Sequence, residues 1–183
     1  MKPTDSLKFS EVCGAGLVAA NAVSEELHPQ GAFKVVCRAA DGTIRWEEDF
    51  LNLVVTVGKN DLLDKYFRAS AYTAAFYVGL KGAGTIAAGD TMSSHAGWSE
   101  ITGYSNATRP AFTAAAASAG STSNTASPAS FSINATNTVA GCFITTDNTK
   151  GGTTGVLFSA ADFAASRSVI SGDTLSVTYT ISC

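Results

Sequence analysis

His95 lies within five residues of Asp90, Ser93, Ser94 and Glu100, the residue types of nucleophilic hydrolysis. A triad needs a nucleophile on a sharp, strained turn and a base oriented by a third group. The run Met92-Ser93-Ser94-His95-Ala96-Gly97-Trp98 contains no such elbow, so His95 is expected to be a hydrogen-bonding loop residue. Glu47, Glu48 and Asp49 alternate in direction along a strand pattern, which reads as a solvated edge before it reads as a catalytic pair. Asp147 and Asp162 are too isolated to predict a calcium cage. Gly58-Lys59 lacks the preceding glycine of a phosphate loop, and Gly82-Ala83-Gly84 is completed by neither a further glycine nor a helix pattern, so a loop is expected there. The four cysteines, Cys13, Cys37, Cys142 and Cys183, show no close spacing, which excludes a CxxC redox pair and a zinc knuckle. No catalytic residue, cofactor or metal site is therefore expected.

The composition points the same way. The chain has 183 residues, 12 Lys+Arg against 15 Asp+Glu and a net charge of −3. That balance is opposed to the clustered cations of a nucleic-acid surface. No apolar run reaches the length of a membrane-spanning helix. Charge is unevenly placed: residues 1–70 carry 8 cations and 10 anions, whereas none of the 37 residues between Arg109 and Asp147 is charged. Ala, Ser and Thr dominate that stretch, yet Phe112, Phe131, Ile133, Val139, Phe143 and Ile144 recur at strand-like spacing. Ordered β structure is expected there, with a flexible piece near Ser118 to Pro128.

Three parts are expected: an arm over 1–30, a hairpin plus helix over 31–71, and a β-sandwich over 72–183. In the arm, basic Lys2 and Lys8 precede an apolar Cys13–Ala22, but Asp5, Glu11, Gly14 and Gly16 spoil the pattern of an export leader. An extended arm or short helix docked on a neighbour fits better. In the hairpin, Phe33, Val35 and Cys37 alternate with polar residues, Asp41-Gly42 supplies a type I′ turn, and Ile44, Trp46 and Glu48 alternate onward. Leu62, Leu63, Tyr66 and Phe67 form one face of a helix over 56–70, with a polar start suited to N-capping. Strands follow at 74–80, 99–104, 129–134, 139–145 and 156–158. A final strand over 174–181 is the most regular, with Leu175, Val177, Tyr179 and Ile181 facing one way. The fold class is mainly β: an antiparallel sandwich, jelly-roll or immunoglobulin-like, behind the arm, hairpin and helix.

Cys37 and Cys142 sit in predicted strands, where a buried thiol is the default. Cys13 and Cys183, in the arm and at the terminus, are placed to reach another subunit. Intermolecular disulfides among the four are conceivable only in an oxidising environment after release from a cell.

Four segments carry a resemblance: residues 52–65 (NLVVTVGKNDLLDK), 87–98 (AAGDTMSSHAGW), 147–156 (DNTKGGTTGV) and 171–182 (SGDTLSVTYTIS). Over about residues 32–183 the chain resembles virion structural proteins of tailed bacteriophages. The resemblance implies a capsid decoration (cement) protein or a fibre-like accessory part, located in the virion and without catalytic residues. The expected partners are the major capsid protein or other virion proteins, and copies of the chain itself.

Fixing the 37 uncharged residues costs on the order of 40–70 kcal/mol of backbone entropy, while each buried methyl returns only about 0.8 kcal/mol. Burial against neighbours, in a dimer, a trimer or a lattice, is therefore favoured. The arm and the hairpin, with Phe33, Trp46 and Phe50, are the expected shell contact, although Trp46 also fits a packing anchor. A head or tail fibre, a neck component, and a carbohydrate- or receptor-binding module stacking ligand on Trp98, Tyr104 or Tyr179 are the competing expectations.

Overall fold

A computed structural model describes residues 28–71 and 75–183 of the chain. The expected arm thus lies almost wholly outside the described residues, with Cys13 in it. The elements run β1 (Gln30–Arg38), β2 (Ile44–Leu51), β3 (Leu53–Val54), α1 (Thr56–Phe67), β4 (Tyr77–Gly84), β5 (Trp98–Ile101), β6 (Ser121–Ser123), β7 (Ala129–Ser132), β8 (Asn137–Thr145), β9 (Leu157–Val169) and β10 (Thr174–Ser182). They form two antiparallel sheets facing each other as a sandwich. In the first the order is β2-β1-β10-β6, with β7 also on β10; in the second it is β3-β9-β8-β4-β5.

Alternation drives the first sheet. Phe33, Val35 and Cys37 on β1 and Leu175, Val177 and Tyr179 on β10 point inward, and all are buried. The two strands pair over nine residues, from Gln30↔Ser182 to Arg38↔Thr174. The hairpin is thus integral to the sandwich, and the expected division at residue 72 does not follow the sheets. Its turn also differs from type I′, because only Gly42 has a positive φ (86°). Asp41 instead accepts the backbone N–H of Thr43 at 2.9 Å and its hydroxyl at 2.6 Å, a local carboxylate turn that replaces the second left-handed residue.

In the second sheet β8 is buried continuously from Val139 to Thr145. One face meets the first sheet. On the other, Phe143 packs with Val55, Met92, Trp98 and Leu157. A strand covered on both faces loses its alternation. Gly58 lets α1 lie directly on β9, since a Cβ there would stand 2.2 Å from the Phe158 carbonyl oxygen.

Several expectations need correction. β9 is 13 residues long, not a short strand at 156–158; its Ala, Ser and Asp content hid the alternation. Gly82 to Gly84 belong to β4, not to a loop. Near 118–128 the chain forms β6, and the buried Asn124 completes the β10 ladder between β6 and β7. Its Oδ1 accepts the Tyr179 N–H at 2.7 Å and its Nδ2 donates to the Val177 carbonyl at 3.1 Å. Helix α1 has no side-chain N-cap; the Thr56 N–H donates to the Ala88 carbonyl instead. Its apolar stripe does not face the core. Tyr66 is 82% exposed, Phe67 71% and Leu63 45%.

Candidate functional site

Among the described residues three places gather side chains: a cleft at His95, a loop cluster around Arg109, and an apolar groove beside α1. The cleft, about 440 Å³, is lined by Ser93, Ser94, His95, Trp98 and residues of the 151–153 loop. His95 Nδ1 lies 2.9 Å from the Thr91 carbonyl and its ring packs 4.2 Å from that of Trp98. Asp90 accepts the Trp98 indole N–H at 2.9 Å and the Ala87 N–H at 3.0 Å. Each group is occupied by its own loop, so no Ser–His–carboxylate relay is assembled. Among the described residues no group of three or more His, Cys, Asp and Glu is placed to hold a metal ion.

Arg109 is fully buried, and its guanidinium is almost saturated. Nε and Nη2 donate to the two Glu100 oxygens at 2.9 and 2.7 Å, Nη1 to the Asp147 carbonyl and Nη2 to the Gly152 carbonyl, both at 2.8 Å. Glu100 also accepts the Gly151 N–H at 2.9 Å. Asp147 takes the Thr149 N–H and the Thr154 hydroxyl, each at 2.6 Å. The Thr154 hydroxyl bond above all, then Thr149, and more weakly the Arg109 charge, hold the Asp147 carboxyl below the usual carboxylate range. Lys150 closes the cluster by donating to the Tyr104 and Asn106 carbonyls at 2.9 and 2.8 Å. This is a structural clamp joining β5 to the 146–156 loop. Sequence reasoning passed over it, although Arg109 is the one cation between Lys81 and Lys150, a signal of burial.

The groove, about 540 Å³, opens between the sheets and is lined by Leu62, Phe76, Phe112, Ile144, Phe158 and Ile181 among others. Phe76 and Phe158 meet edge to face at its wall. It continues through Leu62 toward the exposed stripe Leu63, Tyr66 and Phe67, while Leu51, 79% exposed, adds an apolar side chain at the end of β2.

The expected contact and ligand residues fall elsewhere. Phe33 is interior, stacked on Phe50 at 5.3 Å and tilted against Tyr179 at 4.6 Å. Trp46 and Phe50 both meet Phe163 edge to face, so these three rings hold β1, β2 and β9 together and Phe33 offers no shell-contacting surface. Tyr104 is fully buried against Phe131. Trp98 lies between His95 and Phe143, leaving neither ring face free for a ligand. Cys37 and Cys142 are buried free thiols and Cys183 is an exposed one. The two buried thiols are out of reach of another subunit. Burial, helped by Asp173, pushes the Cys37 thiol up to about 12. Glu48 is no solvated edge: it accepts Arg167 at 2.7 and 2.9 Å and the Ala164 N–H at 2.8 Å.

No helix among the described residues is long and apolar enough to cross a membrane. A family model described as "Podophage GP4 fiber I protein gp80" matches residues 54–180. That range takes in β4 to β9 and most of β10 but leaves β1 and β2 outside. No curated protein matches the chain.

Proposed function

The chain belongs to the Podophage GP4 fiber I protein gp80 family, whose members are tailed-phage virion structural proteins, and from that premise we propose that it is a fibre-type accessory part of the particle, assembled as a dimer or trimer. The family description favours a fibre over a capsid decoration protein. The observation that carries the assembly is the stripe Leu63, Tyr66 and Phe67 on α1. A helix normally buries its apolar face, and burying each of these side chains is worth roughly 1.5–3 kcal/mol. A second copy presenting the same stripe supplies that burial on a closed symmetric contact. The Arg109 clamp, with four of the five guanidinium N–H groups hydrogen-bonded, adds stiffness but no reactive group, which supports a structural role over an enzymatic one. Attachment to the major capsid protein or another virion protein then falls to other surfaces of the oligomer.

Light scattering on the purified full chain tests the reading. A dimer or trimer is expected, reduced to monomer by Tyr66→Ser with Phe67→Ser; a monomeric parent chain overturns the self-association. Quantitative mass spectrometry of purified virions tests the location. A few tens of copies support a fibre, hundreds support decoration of the shell, and absence from the particle overturns both.

A further inference from the structure

The groove beside α1 lies where the N-terminal arm meets the sandwich. The first pairs of β1 are Gln30↔Ser182 and Gly31↔Ile181, and Ile181 lines the groove. Gly31 also rests on the Tyr179 ring, another part of its lining: a Cβ at Gly31 would stand 2.3 Å from the Tyr179 hydroxyl oxygen. Strand β1 therefore begins at the rim of this groove, and 27 residues of sequence precede His28. We propose that residues 17–23 of this chain's own arm, Leu17-Val18-Ala19-Ala20-Asn21-Ala22-Val23, seat in the groove and cover its aromatic wall.

Chemistry and reach both select this segment. It is uncharged and mostly aliphatic, and it is flanked by Glu11 on one side and Glu25-Glu26 on the other. An apolar centre with charged ends can enter an apolar groove while its carboxylates stay in water. From Val23 to Gln30 the chain spans at most about 25 Å at 3.3–3.6 Å per residue, enough to turn back onto Phe76 and Phe112. A tether this short holds the arm at an effective concentration on the order of millimolar, so the arm of an unassociated copy competes poorly, and the dimer band of the test below reports exchange between associated copies. One polar feature fits as well. Asn52 donates to the Tyr179 hydroxyl at 2.8 Å, while its buried Oδ1 has no hydrogen-bond partner among the described residues. A backbone N–H of a strand passing Tyr179 would satisfy it.

The test uses the full chain with Cys13→Ser and Cys183→Ser, so that the remaining native thiols are buried. Ala20→Cys is combined with Ala114→Cys on the groove rim or, as control, with Ser94→Cys in the His95 cleft, and both are treated with a short bismaleimide. The expected result is a link between positions 20 and 114 in the monomer band, several-fold more abundant than the link to position 94. A link found only in the dimer band, or equal linking at the two sites, overturns the proposal. A second measurement needs no added thiol. Leu17→Asp with Val18→Asp is expected to raise anilinonaphthalene sulfonate fluorescence several-fold at unchanged circular dichroism, and unchanged fluorescence overturns the proposal. Light scattering on the same proteins reports the α1 contact separately, so the failure of one idea does not count against the other.

Discussion

Arg109 and Tyr66 stand in two regions built from similar material, short segments and loops packed outside the sheets, and they differ in completion. Around Arg109 one guanidinium meets a carboxylate pair and two carbonyls with all its atoms out of water. Around Tyr66 large apolar side chains stand in solvent, with no partner of comparable size among the described residues except each other, the Tyr66 and Phe67 rings lying 5.0 Å apart. The first region is finished within the subunit. The second leaves its apolar stripe uncovered by the described residues. Under the proposed self-association, that contrast separates the part that keeps its shape from the part that makes contacts.

The largest effect is expected where the subunit is complete. Arg109→Ala leaves Glu100, itself nearly buried, without its cation and orphans two carbonyls. Breaking a buried pair in this way costs about 3–5 kcal/mol, which for a chain of this size lowers Tm on the order of 10 °C. A thermal melt that moves by less than a couple of degrees would show that the clamp does not hold the fold. Any core truncation is costly, but Arg109 lies in a loop and behaves like core.

Much of this was legible in the residues, and the failures have physical causes. The β1–β2 hairpin and β10 were readable because alternation reports a surface with one wet face. The β9 strand was not, since Ala160, Ala161, Ala164 and Ala165 satisfy strand geometry without marking a face. Periodicity located α1 and its stripe, but a stripe says only that one face is apolar, not whether the subunit or a neighbour covers it. Asn124 was hidden for a different reason: a side chain that stands in for a missing strand leaves no pattern at all. Among the site residues, the rings expected at the contact are large apolar ones, and large rings in alternating strands are taken by the core first. Phe33 and Tyr104 went that way.

A smaller effect separates the two regions by pH. Hydrogen bonds from Thr154 and Thr149 keep the Asp147 carboxyl below its ordinary value of 3.8. A depressed carboxylate contributes stability that is present above the unfolded value and is lost as pH falls through the folded one. Thr154→Val removes the strongest of these bonds. At neutral pH the variant should melt below the parent, and the gap should close as pH drops below about 4 and through the lowered folded value, beneath which both bear a neutral Asp147. A gap that stays constant over that range would mean the threonine acts by packing alone. Among the described residues that line the groove there is no acid and no histidine.

The smallest effect on stability is expected in the incomplete region, and there the small size is itself the point. Tyr66 and Phe67 stand mostly in water, so replacing each with Ser at low protein concentration should shift the folding free energy by no more than about 0.5 kcal/mol, as for most surface positions. The parent chain, if α1 pairs with α1, must then show a Tm that rises with protein concentration, because association stabilises the folded state by mass action. The double serine variant should lose that dependence while keeping the parent's Tm extrapolated to high dilution. A variant that melts far below the parent at every concentration would place the two rings in the fold of the single subunit, and the contrast with Arg109 would be one of degree only. A flat parent curve would leave the stripe unpaired with itself and turn the search to another virion protein as its partner.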